Sequence, residues 1–258
     1  MVIESGEITA WVGSLMWPFI RVSAMLFAAP LIGTPYVQVR IRVLLALLIT
    51  IVLAPNLDPM PTYDPASVMV LLVALQQVLI GLAMGLVLQL VFSAIVIGGQ
   101  IMALQMGLGF ASMVDPQTGT QVPMVSQIYL LAGMLVFLAF DGHLIIIEVL
   151  ADSFTAIPVG FEGLTAEAYR LVAEWGSHMF AGAVLMAIPV VASLLVVNIA
   201  FGVMTRASPQ LNIFAVGFPV TMTIGFGVMI LTFDTFLPHV GNLVEQATET
   251  VRTMLSGG

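Results

Sequence analysis

Residues 65–114 run for fifty positions without a single formal charge. Very few environments accept such a stretch. In hydrocarbon every unpaired backbone N–H or C=O costs several kcal/mol, so a membrane-buried run must pair its own backbone, and a helix does so. About 20 helical residues at ~1.5 Å each cross a ~30 Å core. The rest of the 258-residue chain matches this run: 60% of it is hydrophobic and only 8% charged. A soluble domain needs about 25% charged residues to solvate its surface. With a mean hydropathy of +1.13, the chain is expected to be an all-α, membrane-associated protein of long kinked helices and helical hairpins.

The charges that remain exclude several partners. All six basic residues are arginines (Arg21, Arg40, Arg42, Arg170, Arg206 and Arg252), and the net charge is −8. With no basic patch, nucleic acid is not expected as a partner, nor is a polybasic grip on anionic lipid. The absence of cysteine removes disulfides and thiolate metal sites. Glu4 and Glu7 stand where a signal peptide would be basic, and the first apolar stretch, 11–32, is long for a cleaved leader. It is expected to be retained. No polar stretch is long enough to bury a separate soluble core.

Six apolar segments stand out, at 11–32, 43–57, 68–97, 126–149, 177–204 and 211–236. The second is short for a span, and is expected to be a partial span or a helix buried against protein. Prolines 30, 35, 55, 59, 61 and 65 punctuate the early loops, while Pro189 and Pro219 fall inside long segments and predict kinks. Residues 177–236 read as one hairpin around the turn Thr205-Arg206-Ala207-Ser208-Pro209-Gln210. Arginine there favours the cytoplasmic side. With the N-terminus outside, Arg40, Arg42 and Arg206 would all lie inside. After the hairpin, Leu243, Ala247, Val251 and Leu255 repeat at helical spacing, which predicts a short amphipathic tail helix that docks on protein.

The charge-free run has two parts. Its first thirty residues predict a helix in which Gly81 and Gly85 make a small-xxx-small face for close helix contact. Further on, Gly107, Gly109 and the Asp115-Pro116 step oppose a continuous helix. An apolar, methionine-rich break must be buried in protein or line a cavity. Met102, Met106, Phe110 and Met113 either form a constriction that repacks around whatever passes, or are ordinary methionine packing. Arg21, in the middle of the first apolar segment, is expected to be a buried polar anchor or to pair with an acid across an interface. Gln76, Gln77, Gln89, Gln100, Gln105 and Asn198 are expected to make interhelical hydrogen bonds. Asp141, His143 and Glu148 read as a helix end, since residues five apart share a helix face poorly.

Catalysis lacks its parts. The sequence has no His-Glu-x-x-His, Gly-x-Ser-x-Gly or Gly-x-Gly-x-x-Gly, and the neighbours Ser177 and His178 point to different helix faces. No catalytic residue, metal ligand or cofactor is expected. Composition leaves two classes open: a polytopic secondary transporter of a small solute, or a subunit of a larger channel. Transporters build sites from interrupted helices in two matching halves, and no such halves are evident.

Two motifs separate these classes. Met106-Gly107-Leu108-Gly109-Phe110-Ala111-Ser112-Met113-Val114-Asp115-Pro116-Gln117 resembles the signature loop of the FliR family, called SctT in injectisomes. Asn198-Ile199-Ala200-Phe201-Gly202-Val203-Met204-Thr205-Arg206-Ala207-Ser208-Pro209-Gln210-Leu211-Asn212-Ile213-Phe214, followed by Val216-Gly217-Phe218-Pro219, resembles its second signature, and 206–219 is most similar to flagellar members. The resemblance implies a core subunit of the flagellar type III export gate in the bacterial inner membrane. It further implies a FliP-like portion over 1–175 and a FliQ-like hairpin with its tail over 176–258. Partners would be FliP-like and FliQ-like subunits, a FlhB-like switch subunit, membrane lipid and unfolded export substrates. Carried over, the family's pore-closing loop falls on 106–122, with Met106, Gly107, Gly109, Phe110, Met113, Asp115, Pro116 and Gln117. Arg206, Ser208, Pro209 and Gln210 become the cytoplasmic contact for the FlhB-like subunit. Parts of the assembled subunit would stand above the membrane on the periplasmic side.

Overall fold

The computed structural model describes residues 5–61, 63, 67–108, 124–208 and 213–257, without the side chains of 5–12 and 213–215. They form α1 (Ser5–Ala28), α2 (Val39–Leu53), α3 (Val68–Gln105), α4 (Met124–Ala139), α5 (Gly142–Ala156), α6 (Ala166–Ala207) and α7 (Ile213–Leu255), with a 3-10 turn, Ala54–Asn56, after α2. No strand occurs among the described residues. The protein is therefore an all-α membrane protein, and four stretches are long and apolar enough to cross a bilayer: Val39–Asn56, Val68–Gln105, Ala166–Ala207 and Val216–Leu255. α4 and α5 add a fifth only if counted as one broken span. With 38, 42 and 43 residues, α3, α6 and α7 are each about twice as long as a ~30 Å hydrocarbon core requires.

Two expected boundaries move. The apolar segment 126–149 is divided, because Asp141 adopts the left-handed conformation at φ 55° and α5 starts anew after it. Aspartate is among the few non-glycine residues that visit this region. The expected separate tail helix does not exist: α7 continues through Pro219 and Pro238 to Leu255. Its predicted stripe is real, since Leu243, Ala247, Val251 and Leu255 are all buried. Pro18 and Pro189 likewise lie inside α1 and α6.

The chain divides into two compact units. The first comprises Met1–Leu90, Asp141–Gly176 and Val244–Gly258. There α1 lies directly on α3. A Cβ on Gly81 would overlap the Arg21 carbonyl and sit 2.8 Å from the Ala24 Cβ, and one on Gly85 would sit 2.7 Å from that of Ala28. The predicted small-residue face thus brings two backbones together, so that dispersion acts over a long contact. Trp17, Met25 and Leu26 of α1 and Ile80 and Met84 of α3 are all buried in this unit. The last turns of α7 belong to this unit through two contacts. Trp175 Nε1 donates to Thr250 Oγ1 at 2.9 Å, and Arg252 donates to Glu148 at 2.7 Å. α2, expected as a partial span or a helix buried against protein, leaves Leu44, Leu48, Ile51 and Val52 uncovered by this chain.

The second unit comprises Val91–Phe140 and Ser177–Leu243. Phe92 meets Phe137 edge-on at 5.4 Å, and Tyr129 meets Phe236 at 5.0 Å, geometries aromatic quadrupoles prefer. Gly99 abuts Ser126, whose hydroxyl donates to the Val96 carbonyl at 3.1 Å. Between α6 and α7 a His239 ring nitrogen lies 3.0 Å from the Gly182 carbonyl, and Leu243 packs against Gly182.

Candidate functional site

α3 stops because its last turn closes on itself. The Leu108 N–H donates to the Ala103 carbonyl at 3.0 Å, and the Gly107 N–H to that of Leu104 at 3.0 Å. This pair of bonds is a Schellman cap, whose left-handed residue is normally glycine. Gly107 fills that place with φ 83°. The helix break anticipated from the glycines therefore falls immediately before the undescribed part of the candidate loop.

α7 seats that capped end. Met106 is fully buried and lies against Gly225, where a Cβ would come within 2.6 Å of its Cγ. The ring of Phe218 covers Gly107 so closely that a Cβ there would be 2.9 Å from it. The Thr221 hydroxyl donates to the Phe218 carbonyl at 3.0 Å and faces the Met106 carbonyl at 3.4 Å. Residues 218, 221 and 225 share one helix face by their spacing of three and four. Both signature motifs meet here, Gly107 of the first under Phe218 of the second. Thr221 and Gly225 lie beyond the second motif and were missed by the sequence reading. Their small-xxx-small spacing was the signal that could have found them.

Met102, one turn before Met106, is also buried. Both methionines are packing residues of the second unit, and their flexible side chains suit a tight seat against helical backbone. Gly109, Phe110, Met113, Asp115, Pro116 and Gln117 lie outside the described residues.

At the other motif, Arg206 occupies the last turn of α6 and is exposed, as is Ser208, whose N–H donates to the Met204 carbonyl at 2.9 Å. A cation there complements the negative end of the helix dipole. Arg206 forms no ion pair among the described residues, so its guanidinium is presented outward. Pro209 and Gln210 lie outside the described residues.

Arg21 is completely buried in the first unit, and its partners are neutral. Its Nε donates to Gln77 Oε1 at 2.8 Å, one terminal nitrogen to the Ser153 carbonyl at 2.6 Å, and the other to the Ile157 carbonyl at 2.8 Å. The Ser153 hydroxyl is 3.2 Å away, and the guanidinium lies 4.3 Å over the Phe154 ring. These carbonyls lie at the end of α5, where Ser153 also accepts the Ile157 N–H at 3.0 Å and the helix dipole leaves about half a negative charge. A helix terminus thus does the work that the sequence reading had offered to an acid. Gln76 reaches the Phe161 carbonyl at 2.7 Å. Glu148 is engaged by Arg252, not by His143. Among the described residues no group of three or more His, Asp or Glu could hold a metal ion.

Comparison with known proteins gives a uniform result. The family profile described as bacterial export proteins, family 1, matches residues 12–247. The flagellar biosynthetic protein FliR of Escherichia coli K12 is 35% identical over 254 residues, 98% of this chain and 97% of that protein. That of Pectobacterium carotovorum is 36% identical over 99% of both chains, and that of Bacillus subtilis 32% over 92% and 93%.

Proposed function

Because the chain belongs to the FliR family, family 1 of the bacterial export proteins, we propose that it is a core subunit of the flagellar type III export gate. It sits in the inner membrane at the flagellar basal body, with part of the assembled subunit above the membrane on the periplasmic side. It helps to form and close the pore through which unfolded rod, hook and filament proteins leave the cell. Residues 1–175 are its FliP-like portion and 176–258 its FliQ-like hairpin. FliP-like and FliQ-like subunits complete the pore, and a FlhB-like subunit contacts the 205–210 turn. The role is structural and gating, with no catalytic step.

The observation that carries this reading is the seat of Met106 and Gly107 on Phe218, Thr221 and Gly225. A closure loop must open without unravelling the helix that bears it. Here the helix is capped and clamped at 106–107, which anchors the base of the proposed closing loop on α7. The exposed Arg206 supplies a charged, sterically free contact for a partner on the opposite motif.

Native mass spectrometry tests the assembly. The chain is purified alone and after co-expression with its FliP-like and FliQ-like neighbours. A discrete mixed complex formed only on co-expression supports the gate. A stable monomer or homodimer that ignores those neighbours returns the balance to a solute transporter.

A further inference from the structure

The loop seat draws on the second motif only at Phe218. The first half of that motif, residues 198–204, lies in α6, where no residue from Leu195 to Ala207 is buried by this chain. On this uncovered stretch Leu195, Asn198, Ile199, Gly202 and Arg206 share one helix face by spacings of three and four. We propose that this face receives an apolar helix of a different protein, which approaches closely at Gly202, hydrogen-bonds Asn198 and sets a carboxylate on Arg206.

Three observations select that partner. The first is an empty glycine. At Gly81, Gly85 and Gly225 a Cβ would come within 2.4, 2.7 and 2.6 Å of another part of this chain, so the missing side chains are used for packing. A Cβ on Gly202 would meet nothing within 4 Å. Glycine weakens a helix interior, and here the chain gains no contact in return; a second helix backbone arriving from outside supplies one. The second is an unpaired amide. The Asn198 side chain makes no hydrogen bond among the described residues, and it stands between the exposed aliphatic side chains of Leu195 and Ile199. An acyl chain offers an amide neither donor nor acceptor, whereas a polar side chain on a neighbouring helix offers both. The third is charge. Arg206 ends the same face about 12 Å along the helix from Asn198, and it forms no ion pair among the described residues. A carboxylate complements it, while a second copy lying parallel on this face would set Arg206 against Arg206. The inference rests on the gate reading, since it takes the partner to be one of the subunits proposed to assemble with this chain.

The test is co-purification of the full chain with its co-expressed FliP-like, FliQ-like and FlhB-like neighbours, set beside the melting of each variant alone. Gly202→Leu should melt no lower than the wild type, because its Cβ meets nothing of this chain. By filling the space the partner needs, it should lower recovery of the mixed complex about ten-fold. Asn198→Leu should lower recovery about three-fold, the worth of one interhelical hydrogen bond. A photo-reactive residue at position 199 should crosslink, in membranes, to one of those neighbours, in a peptide that carries Asp or Glu about two helical turns from the linked position. Wild-type recovery in Gly202→Leu overturns the proposal, and so does a crosslink that forms only to lipid or to a second copy of this chain. A linked peptide without an acid overturns it as well. Failure of the wild type to assemble removes the gate reading, whereas equal assembly of the wild type and Gly202→Leu removes this surface alone.

Discussion

Arg21 illustrates how a charge survives in an apolar interior without a counter-charge. Its planar fork reaches a side-chain amide and two helix-end carbonyls at once, a geometry a point-like ammonium does not match. Arg21→Met would take the donors away from the buried Gln77 amide oxygen and Ile157 carbonyl, and is expected to destabilise the chain by about 2–4 kcal/mol. Arg21→Lys should recover only part of that loss. Thermal unfolding in detergent checks both, and a melting temperature unchanged in Arg21→Met would mean that water replaces the guanidinium. Gly107 poses a different kind of constraint. Alanine at φ 83° costs about 1–2 kcal/mol in the left-handed region, and its Cβ would also push on Phe218. Gly107→Ala is expected to reduce swimming while complex formation persists. Full motility in that variant would remove the loop base from the gating account.

Among the helices, α1 lies close against α3 at Gly81. Gly81→Ala drives a methyl into the Arg21 carbonyl and the Ala24 Cβ, so the helices must separate, an overpacking worth about 1–3 kcal/mol. Gly202 on α6 is the natural control, because a Cβ there meets nothing within 4 Å. Gly202→Ala should leave the isolated chain as stable as wild type or raise it by up to about 1 kcal/mol through helix propensity. Side-by-side melting of the two variants decides the matter. If Gly81→Ala melts with the wild type, then α1 and α3 do not need the contact that the small residues allow.

For the molecule as a whole, the consequential feature is surface. Apolar side chains of α2, α6 and α7, among them Leu48, Val203 and Leu231, remain uncovered by the chain itself. Burial of apolar area of this kind drives association, so lipid or partner subunits must finish the fold. If the gate reading holds, deleting 108–119 keeps Met106 and Gly107 on their seat and removes the closing segment together with Leu108, one of the two cap donors. The assembled complex should then leak small ions in planar bilayers. Wild-type conductance in the deletion would show that closure resides elsewhere.

Much of this protein was legible without coordinates because the signals are local. Charge-free runs, helical spacing and the glycine at 107 identify helices and the stop of α3 from neighbours in sequence, and the paired glycines 81 and 85 announce close packing by size alone. The two motifs carried the family. Local signals also misled in two places: the left-handed backbone of Asp141 divided a segment that reads as continuous, and α7 absorbed a tail that its composition sets apart. The rest needed the tertiary structure. Arg21 finds its acceptors 56, 132 and 136 residues away, and Met106 its seat on Gly225 more than a hundred residues on. Periodicity can say that a side chain faces inward, but only the packed helices decide which distant carbonyl, ring or glycine meets it there. That pairing depends on three-dimensional distance, and sequence spacing does not record it.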